Sequence, residues 1–312
     1  MSIFPTKILL ATDGSKEAAL AARTAADIAR QTGSELHVVY VGLSLEYVGM
    51  GPPEIGDIPA PTQEQLSAES RQLLDAEVEQ VKAQGGTVAQ AHLWVGESAR
   101  EIVALAEEIG AGLVVIGSRG RGGIRRALMG SVSDSVVRHA HCPVLVVRGE
   151  PVVLPTKVLL ATDGSESATH ATQAAVELTK KTDSELHVLY VGGDPYSAAL
   201  FYPEARNLEG VEQVDPALIE ELGRQFEQVA RQVLDAEVEK VRAVGGTVAE
   251  VYSRLGRPAA EIVDLAEELG AGLVVVGSQG LGGIRRALIG SVSDSVVRHA
   301  HCPVLVVRKE DQ

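Results

Sequence analysis

The segment GSRGRGGIRRALMGS, Gly117–Ser131, decides the fold, and a close copy of it recurs as Gly277–Ser291. A short apolar run precedes each copy and predicts a buried strand. Gly-Ser-Val-Ser-Asp-Ser, at the end of each copy, predicts a helix that Ser131 or Ser133 could cap and whose first turn suits Asp134. Open backbone N–H groups and the positive end of a helix dipole favour anions, so the segment predicts an anion site, most often one for phosphate.

The composition favours an α/β protein. A length of 312 residues suggests about two domains, and a hydrophobic content of 45% is enough for a normal core in each. Aromatic residues make up only 3% of the chain, so the cores must be built from Val, Leu, Ile and Ala. That composition favours parallel strands covered by helices over a β-sandwich.

Charge and cysteine content exclude several classes of protein. The net charge of −14, with no Lys/Arg run, argues against nucleic-acid binding. Cys142 and Cys302 occupy equivalent places in two repeats, so a disulfide framework is not expected and a reducing compartment fits. The N-terminal residues lack a signal-peptide core, and no apolar run approaches about 18 residues. We therefore expect a cytoplasmic protein that binds no membrane.

An internal repeat sets the organisation of the chain. Leu9–Ser15 returns as Leu159–Ser165, and Ile124–Arg148 returns as Ile284–Arg308 with one difference in 25 positions. The two offsets are 150 and 160, so the second copy carries ten extra residues in its middle. The period has the size of a domain, which indicates a tandem duplication.

The repeat predicts two domains, over residues 1–148 and 156–312, joined by a linker over residues 149–155. A linker of that length spans at most roughly 25 Å, so the domains must touch. The fifth strand of each domain is apolar on both faces and would be prone to aggregation as an open edge. We therefore expect the two fifth strands to pair around a pseudo-two-fold axis.

Strands and helices alternate along the first repeat. Strands are predicted over Lys7–Thr12, Glu35–Val41, Thr87–Val95, Gly112–Ile116 and Cys142–Val147. Helices are predicted from the Ser15 cap to about Gln31, over Gln63–Gln84, over Ser98–Ile109 and after Gly130. This alternation predicts a doubly wound, five-stranded parallel sheet in each repeat. Ligands bind such sheets where the strand order reverses, so Asp13 should face the glycine loop across a crevice.

The spacing of the glycine loops resembles the nucleotide-binding signature of the universal stress protein family. That spacing is Gly117-x2-Gly120-x9-Gly130-Ser131, repeated as Gly277-x2-Gly280-x9-Gly290-Ser291. The opening Ile-Leu-Leu-Ala-Thr-Asp-Gly-Ser and the closing His-Cys-Pro-Val-Leu-Val-Val match that family as well. The likeness covers both repeats almost end to end. It implies an adenine nucleotide alpha-hydrolase-like fold with strand order 3-2-1-4-5 in each repeat.

The ATP-binding branch of that family implies where a nucleotide would lie. Adenine would contact the ends of strands one and two, at Ala11, Thr12, Asp13 and Val41, and at Ala161, Thr162, Asp163 and Val191. Ribose and phosphates would lie along Gly117, Ser118, Arg119, Gly120, Gly130, Ser131, Val132 and Ser133, and along Gly277, Ser278, Gln279, Gly280, Gly290, Ser291, Val292 and Ser293. The ligand would be ATP, with ADP or AMP as alternatives, and Mg²⁺ or Mn²⁺ would accompany the phosphates. No metal site built by protein side chains alone is expected.

Several of these residues allow a second interpretation. Asp13 could simply form an Asx turn, and the glycines could be ordinary turn residues. Arg125 and Arg126 could clamp a phosphate or form a solvated or interface surface. His139, His141 and Cys142 could suggest a zinc site, but no acidic pair or second Cys/His pair stands nearby at ligand spacing. The end of a helix is a more favourable explanation for these histidines, because a histidine there suits the helix dipole.

The two repeats differ at two places. Arg119 and Arg121 of the first loop become Gln279 and Leu281 in the second, so we predict weaker or differently regulated binding there. The longer middle segment of the second repeat could cover a pocket or meet a partner. That segment is Gly192–Pro216, with Tyr196, Phe201 and Tyr202.

The resemblance implies an ATP-binding stress-response protein whose nucleotide state sets its conformation or assembly, with a homodimer left open. The alternatives are a slow ATPase or self-phosphorylating enzyme, a scaffold that binds no nucleotide, and a flavin-binding electron carrier. The P-loop lysine is absent and no catalytic residue is evident, which argues against a dedicated ATPase. Intact glycines in both repeats argue against the scaffold, and the flavin carrier would lack its own motif.

Overall fold

The computed structural model describes residues 4, 6–42, 62–120, 129–149, 153–199, 215–280 and 289–308. These residues form two compact units, one for each repeat, that divide between Val153 and Leu154. Six residues discussed above as candidate site or partner residues lie outside the described residues: Arg121, Arg125, Arg126, Phe201, Tyr202 and Leu281. Ile124, Ile284 and residues 150–152 of the predicted linker lie outside them as well. None of the helices within the described ranges is both long enough and apolar enough to cross a membrane.

The first unit alternates strands and helices as predicted. Its strands are β1 (Lys7–Thr12), β2 (Glu35–Gly42), β3 (Val88–Val95), β4 (Leu113–Gly117) and β5 (Val144–Val147). Its helices are α1 (Lys16–Thr32), α2 (Gln63–Ala83), α3 (Ser98–Glu108) and α4 (Ser131–His139). Every strand pair is parallel and the order is β3-β2-β1-β4-β5, which confirms the predicted doubly wound sheet.

The second unit has the same topology, in the order β10-β9-β6-β7-β8. Its strands are β6 (Lys157–Thr162), β7 (Glu185–Gly192), β8 (Glu250–Leu255), β9 (Leu273–Gly277) and β10 (Val304–Val307). Its helices are α5 (Glu166–Thr182), α6 (Pro195–Ala199), α7 (Pro216–Ala243), α8 (Pro258–Leu269) and α9 (Ser291–His299).

The short helix α6 lies in the longer middle segment of the second repeat. Asp194 starts this helix, because its carboxylate accepts hydrogen bonds from the backbone N–H groups of Tyr196 and Ser197. Ala199 then packs against Leu222 of α7 in a small apolar cluster. The middle segment of the second repeat therefore contains a packed element, and Tyr196 on it is 49% exposed.

Helix α1 shows how local sequence sets the fold. Ser15 caps its N-terminus by accepting a hydrogen bond from Ala18 N at 3.1 Å, and Gly33 ends it in the left-handed conformation at φ 69°. Buried alanines such as Ala21 and Ala25 line its inner face, so the helix can lie close to the sheet. The central strands β1 and β4 beneath it are buried and built from Ile, Leu and Val, as the composition required.

Candidate functional site

The carboxyl ends of β1 and β4 lie side by side in the first unit. The two strands are paired from Ile8 with Leu113 to Ala11 with Ile116, and the strand order reverses between them. Residues that follow these strands therefore meet at one edge of the sheet. This arrangement brings Asp13 against the glycine loop, as the sequence predicted.

Asp13 uses its two carboxylate oxygens in two directions. Oδ1 accepts a hydrogen bond from the backbone N–H of Ser15 at 3.0 Å, which forms the Asx turn considered above. Oδ2 faces Gly120 so closely that a β-carbon at that position would collide with it. The Asx turn and the contact with the loop are therefore compatible, and the turn aims the second oxygen at the loop.

The glycines of the loop are required by close backbone contacts. A β-carbon on Gly117 would lie 2.8 Å from the carbonyl carbon of Glu17 and 2.9 Å from its oxygen. The N–H of Gly130 donates to the carbonyl of Ser118 at 2.8 Å, which joins the two ends of the loop. These contacts leave main-chain atoms, instead of side chains, at the glycine positions of the loop.

Helix α4 begins differently from the prediction. Its N-cap residue is Gly130, with no side-chain hydrogen bond, so neither Ser131 nor Ser133 caps it. Ser133 is buried and donates its hydroxyl to the carbonyl of Gly117 at 2.7 Å, because that carbonyl lies directly in front of the helix start. Ser131 is exposed. The N-terminus of α4 therefore has no side-chain cap. The Ser133 hydroxyl, which was expected to donate to a ligand, donates to the carbonyl of Gly117 instead.

Ser118 carries a polar atom that the fold leaves unsatisfied. The residue is 1% exposed, and its hydroxyl has no hydrogen-bond partner among the described residues. Buried hydroxyls normally find a partner, and one at the base of the glycine loop suits a polar ligand there.

The second unit repeats this geometry. Oδ1 of Asp163 accepts from Ser165 N at 3.0 Å, and Oδ2 lies 2.5 Å from a β-carbon built on Gly280. Gly290 N donates to the carbonyl of Ser278, and the Ser293 hydroxyl donates to that of Gly277, both at 2.6 Å. Gly290 begins α9 without a side-chain cap, while Ser291 and Val292 are exposed.

The charged side chains beside the two loops differ. In the first unit, Nε of Arg119 lies 3.9 Å from a carboxylate oxygen of Glu17, the acidic residue in the first turn of α1. In the second unit, Gln279 and Ser167 occupy these positions, and Gln279 N donates to the Ser167 hydroxyl at 3.4 Å. The sequence pattern indicates the arginine but not its acidic partner, because the two residues are far apart in the chain and meet only after folding.

The predicted adenine residues lie at the same edge of each sheet. Thr12 pairs with Tyr40 at the end of β1, so Val41 is the next residue along β2, and Val41 itself pairs with Trp94 of β3. The equivalent pair in the second unit is Val191 with Arg254.

Two residues beside the second site were missed from the sequence. Arg254 forms ion pairs with Glu261 and Glu268, and its hydrogen bond lowers the pKa of Glu268. Tyr190 pairs with Thr162 at the end of β6. Burial, together with the charge of Asp163, raises the pKa of Tyr190, so its hydroxyl stays protonated at neutral pH.

The histidines near the end of α4 form no metal cluster. Nδ1 of His139 lies 2.7 Å from the carbonyl of Ser135, and His141 contacts Glu107 at 2.5 Å. Within the described ranges, no group of three or more His, Cys, Asp or Glu side chains could hold a metal ion.

A doubly wound α/β unit, with a glycine loop at the reversal of its strand order, defines the class of protein. The sequence model of the universal stress protein family matches residues 5–148 and 155–308, so the chain belongs to that family. The universal stress protein YxiE of Bacillus subtilis is 35% identical over 152 residues, which cover 49% of this chain and 98% of YxiE.

Two further likenesses extend beyond a single repeat. The universal stress protein Rv2005c of Mycobacterium tuberculosis is 34% identical over 202 residues, which cover 63% of this chain and 62% of that protein. The crystal structure of a universal stress protein from Archaeoglobus fulgidus superposes with a TM-score of 0.66 at 24% identity, and covers 99% of this chain and 98% of its own. The second likeness supports the fold alone.

Proposed function

We propose that this universal stress protein binds ATP at one site in each repeat, and that nucleotide occupancy sets its conformation or assembly in the stress response. The observation that carries the proposal is the contact between Asp13 and Gly120, repeated between Asp163 and Gly280. In each unit a carboxylate and a main-chain loop meet at the reversal of the strand order, where ligands of such sheets bind.

The residues present suit the parts of a nucleotide. Ala11 to Asp13 and Val41 would face adenine. The loop from Gly117 to Gly120 and the start of α4 would face ribose and phosphates, because an N-terminus without a side-chain cap offers N–H groups to anions. Mg²⁺ or Mn²⁺ would be held by the phosphates. ADP or AMP would fit the same residues with fewer phosphate contacts.

Calorimetric titration of ATP, with and without Mg²⁺, tests the proposal in paired variants. A side chain at Gly120 or Gly280 would displace the facing aspartate, so Gly120→Val should abolish the first site and Gly280→Val the second. We expect two bound nucleotides per chain, one in each single variant and none in the double variant. Gly223→Ala is the control, because its β-carbon would have only Pro195 within reach, at 4.0 Å.

Other results would contradict the proposal. Unchanged stoichiometry in the double variant would place the nucleotide elsewhere, and no binding to the unaltered protein would favour the scaffold. Small molecules released from the purified protein by heat provide a second readout: ATP fits the binder, whereas ADP or phosphoprotein indicates turnover. The pairing of the fifth strands, a homodimer and a cytoplasmic location remain predictions.

A further inference from the structure

Glu237 of helix α7 is a carboxylate with no exposed surface at all. It lies behind the end of β6, the strand that leads into Asp163. Burying a charge is costly, and an ion pair in the interior is often no more stabilising than apolar residues of the same volume. Stability alone therefore gives little reason for Glu237 to be there.

The Glu237 carboxylate joins three elements of the second unit. Oε2 accepts hydrogen bonds from the Thr162 hydroxyl of β6 and from Nζ of Lys240, both at 3.1 Å. Oε1 is in close contact with the Thr172 hydroxyl of α5. Lys240 also donates to the hydroxyl of Thr169 at 3.3 Å. The carboxylate therefore has a charged partner and at least one hydroxyl partner on each neighbouring element.

The Thr162 hydroxyl connects this network to the turn that carries Asp163. A hydroxyl has a single proton, and in Thr162 that proton points to Glu237. A lone pair of the same oxygen can then accept the N–H of Gly164, at 3.2 Å. Glu237 thus fixes the hydroxyl in the orientation that stabilises the turn, and the turn holds Asp163 against Gly280.

We infer that Glu237 is a positioning residue for the second nucleotide site, which acts through Thr162 on Asp163. The inference rests on the proposed function, since it assigns a role within that site. The first unit shares part of this arrangement, because the Thr12 hydroxyl also accepts the N–H of Gly14, at 3.3 Å. The first unit has a buried glutamate at the equivalent position, Glu77, but Lys240 is replaced there by Gln80 and Thr172 by Ala22.

The test is the double variant Glu237→Met/Lys240→Met in the Gly120→Val background, in which only the second site binds. The variant removes the acceptor for Thr162 and leaves no unpaired charge, so the unit should fold with a thermal midpoint near that of the background. We expect ATP affinity at the second site to fall by about tenfold, the value of one well-made hydrogen bond.

Two matched variants separate positioning from packing. Glu237→Gln keeps an oxygen acceptor for Thr162 and should retain most of the affinity. Thr172→Ala removes a different partner of the same carboxylate, copies Ala22 of the first unit, and should leave the affinity within about twofold. If the double variant does not fold, Glu237→Met alone gives the comparison, because the Lys240 side chain is already 34% exposed and can turn to solvent.

Hydrogen exchange at the Gly164 amide separates this inference from the proposed function. Faster exchange in the methionine variant, but not in Glu237→Gln, supports positioning of the turn even if no nucleotide binds to the unaltered protein. Unchanged affinity and unchanged exchange in the methionine variant would overturn the inference. An equal loss of affinity in Glu237→Gln would overturn it as well, because the acceptor would then be irrelevant.

Discussion

The two glycine loops share a backbone and differ in the side chains beside it. Arg119 stands by Glu17 in the first unit, whereas Gln279 stands by Ser167 in the second. The second unit lacks both the arginine and the glutamate. The net charge of the Arg119–Glu17 pair and that of the Gln279–Ser167 pair are therefore both zero. The sequence analysis predicted weaker binding at the second site from the loss of Arg119 and Arg121. That prediction did not take the simultaneous loss of Glu17 into account. The charge near each glycine loop has to be summed over all the residues that fold against it.

The largest expected difference between the units is steric. A β-carbon on Gly117 would lie 2.8 Å from the backbone of Glu17, whereas one on Gly277 would lie 2.9 Å from the Ser167 hydroxyl and 3.1 Å from the Ser167 backbone. Gly117→Ala should therefore destabilise the protein by about 1–3 kcal/mol, and Gly277→Ala by less, because the backbone that faces Gly277 is farther away and the hydroxyl can rotate. Urea unfolding measures both, and equal losses would show that the two loops are equally packed.

A smaller effect should come from the charges of the first loop. In the Gly280→Val background, Glu17→Ser should tighten ATP binding and Arg119→Gln should weaken it, each by about two- to fivefold, because the groups are partly exposed. The double variant copies the second unit and should return near the starting affinity. Calorimetry at two salt concentrations measures the cycle. If Glu17→Ser and Arg119→Gln changed the ATP affinity in the same direction, the Glu17 carboxylate would not oppose the effect of the arginine.

The smallest effect should come from a pair of histidines that only the first unit has. His37 Nδ1 lies 3.1 Å from His92 Nε2 and the rings stack, whereas His187 of the second unit meets Tyr252. Burial and His37 lower the pKa of His92, and Glu108 partly opposes them. Glu35 faces the other nitrogen of His37 at 3.6 Å.

The sign of the pH effect follows from that direction. Below about pH 6.5 an unfolded histidine takes up a proton that folded His92 resists, so the free energy of unfolding should fall as the pH decreases through this range. His92→Tyr, which copies Tyr252, should reduce the slope of unfolding free energy against pH. Urea unfolding between about pH 5 and 8 measures the slope, and a slope that is unaffected by the substitution would assign the effect to other groups.

Most of the fold could be predicted because its signals are local. Ser15 and Gly33 mark the ends of α1, and apolar runs between glycines mark the central strands. The position of Asp13 followed from topology alone. The cap of α4 could not be predicted, because the Ser133 hydroxyl donates instead to the carbonyl of Gly117, which lies beside it only in the folded chain.

The hydrogen-bond network around Glu237 could not be predicted from the sequence, because the spacing of its charged residues indicates a solvent-exposed pair. Glu237 and Lys240 are spaced like an ordinary exposed ion pair on an amphipathic helix. Only the orientation in which α7 packs against β6 and α5 shows that the glutamate is buried. Ion pairs such as Arg119 with Glu17 were missed for a related reason, since partners far apart in sequence meet only after folding.

Trp94 is the single tryptophan of the chain, and it pairs with Val41 beside the first site, where the second unit has Arg254. The two sites therefore differ in optical properties as well as in sequence. The indole is an intrinsic label for one of two otherwise similar candidate sites, so the emission of the natural protein can tell which of them a ligand has entered.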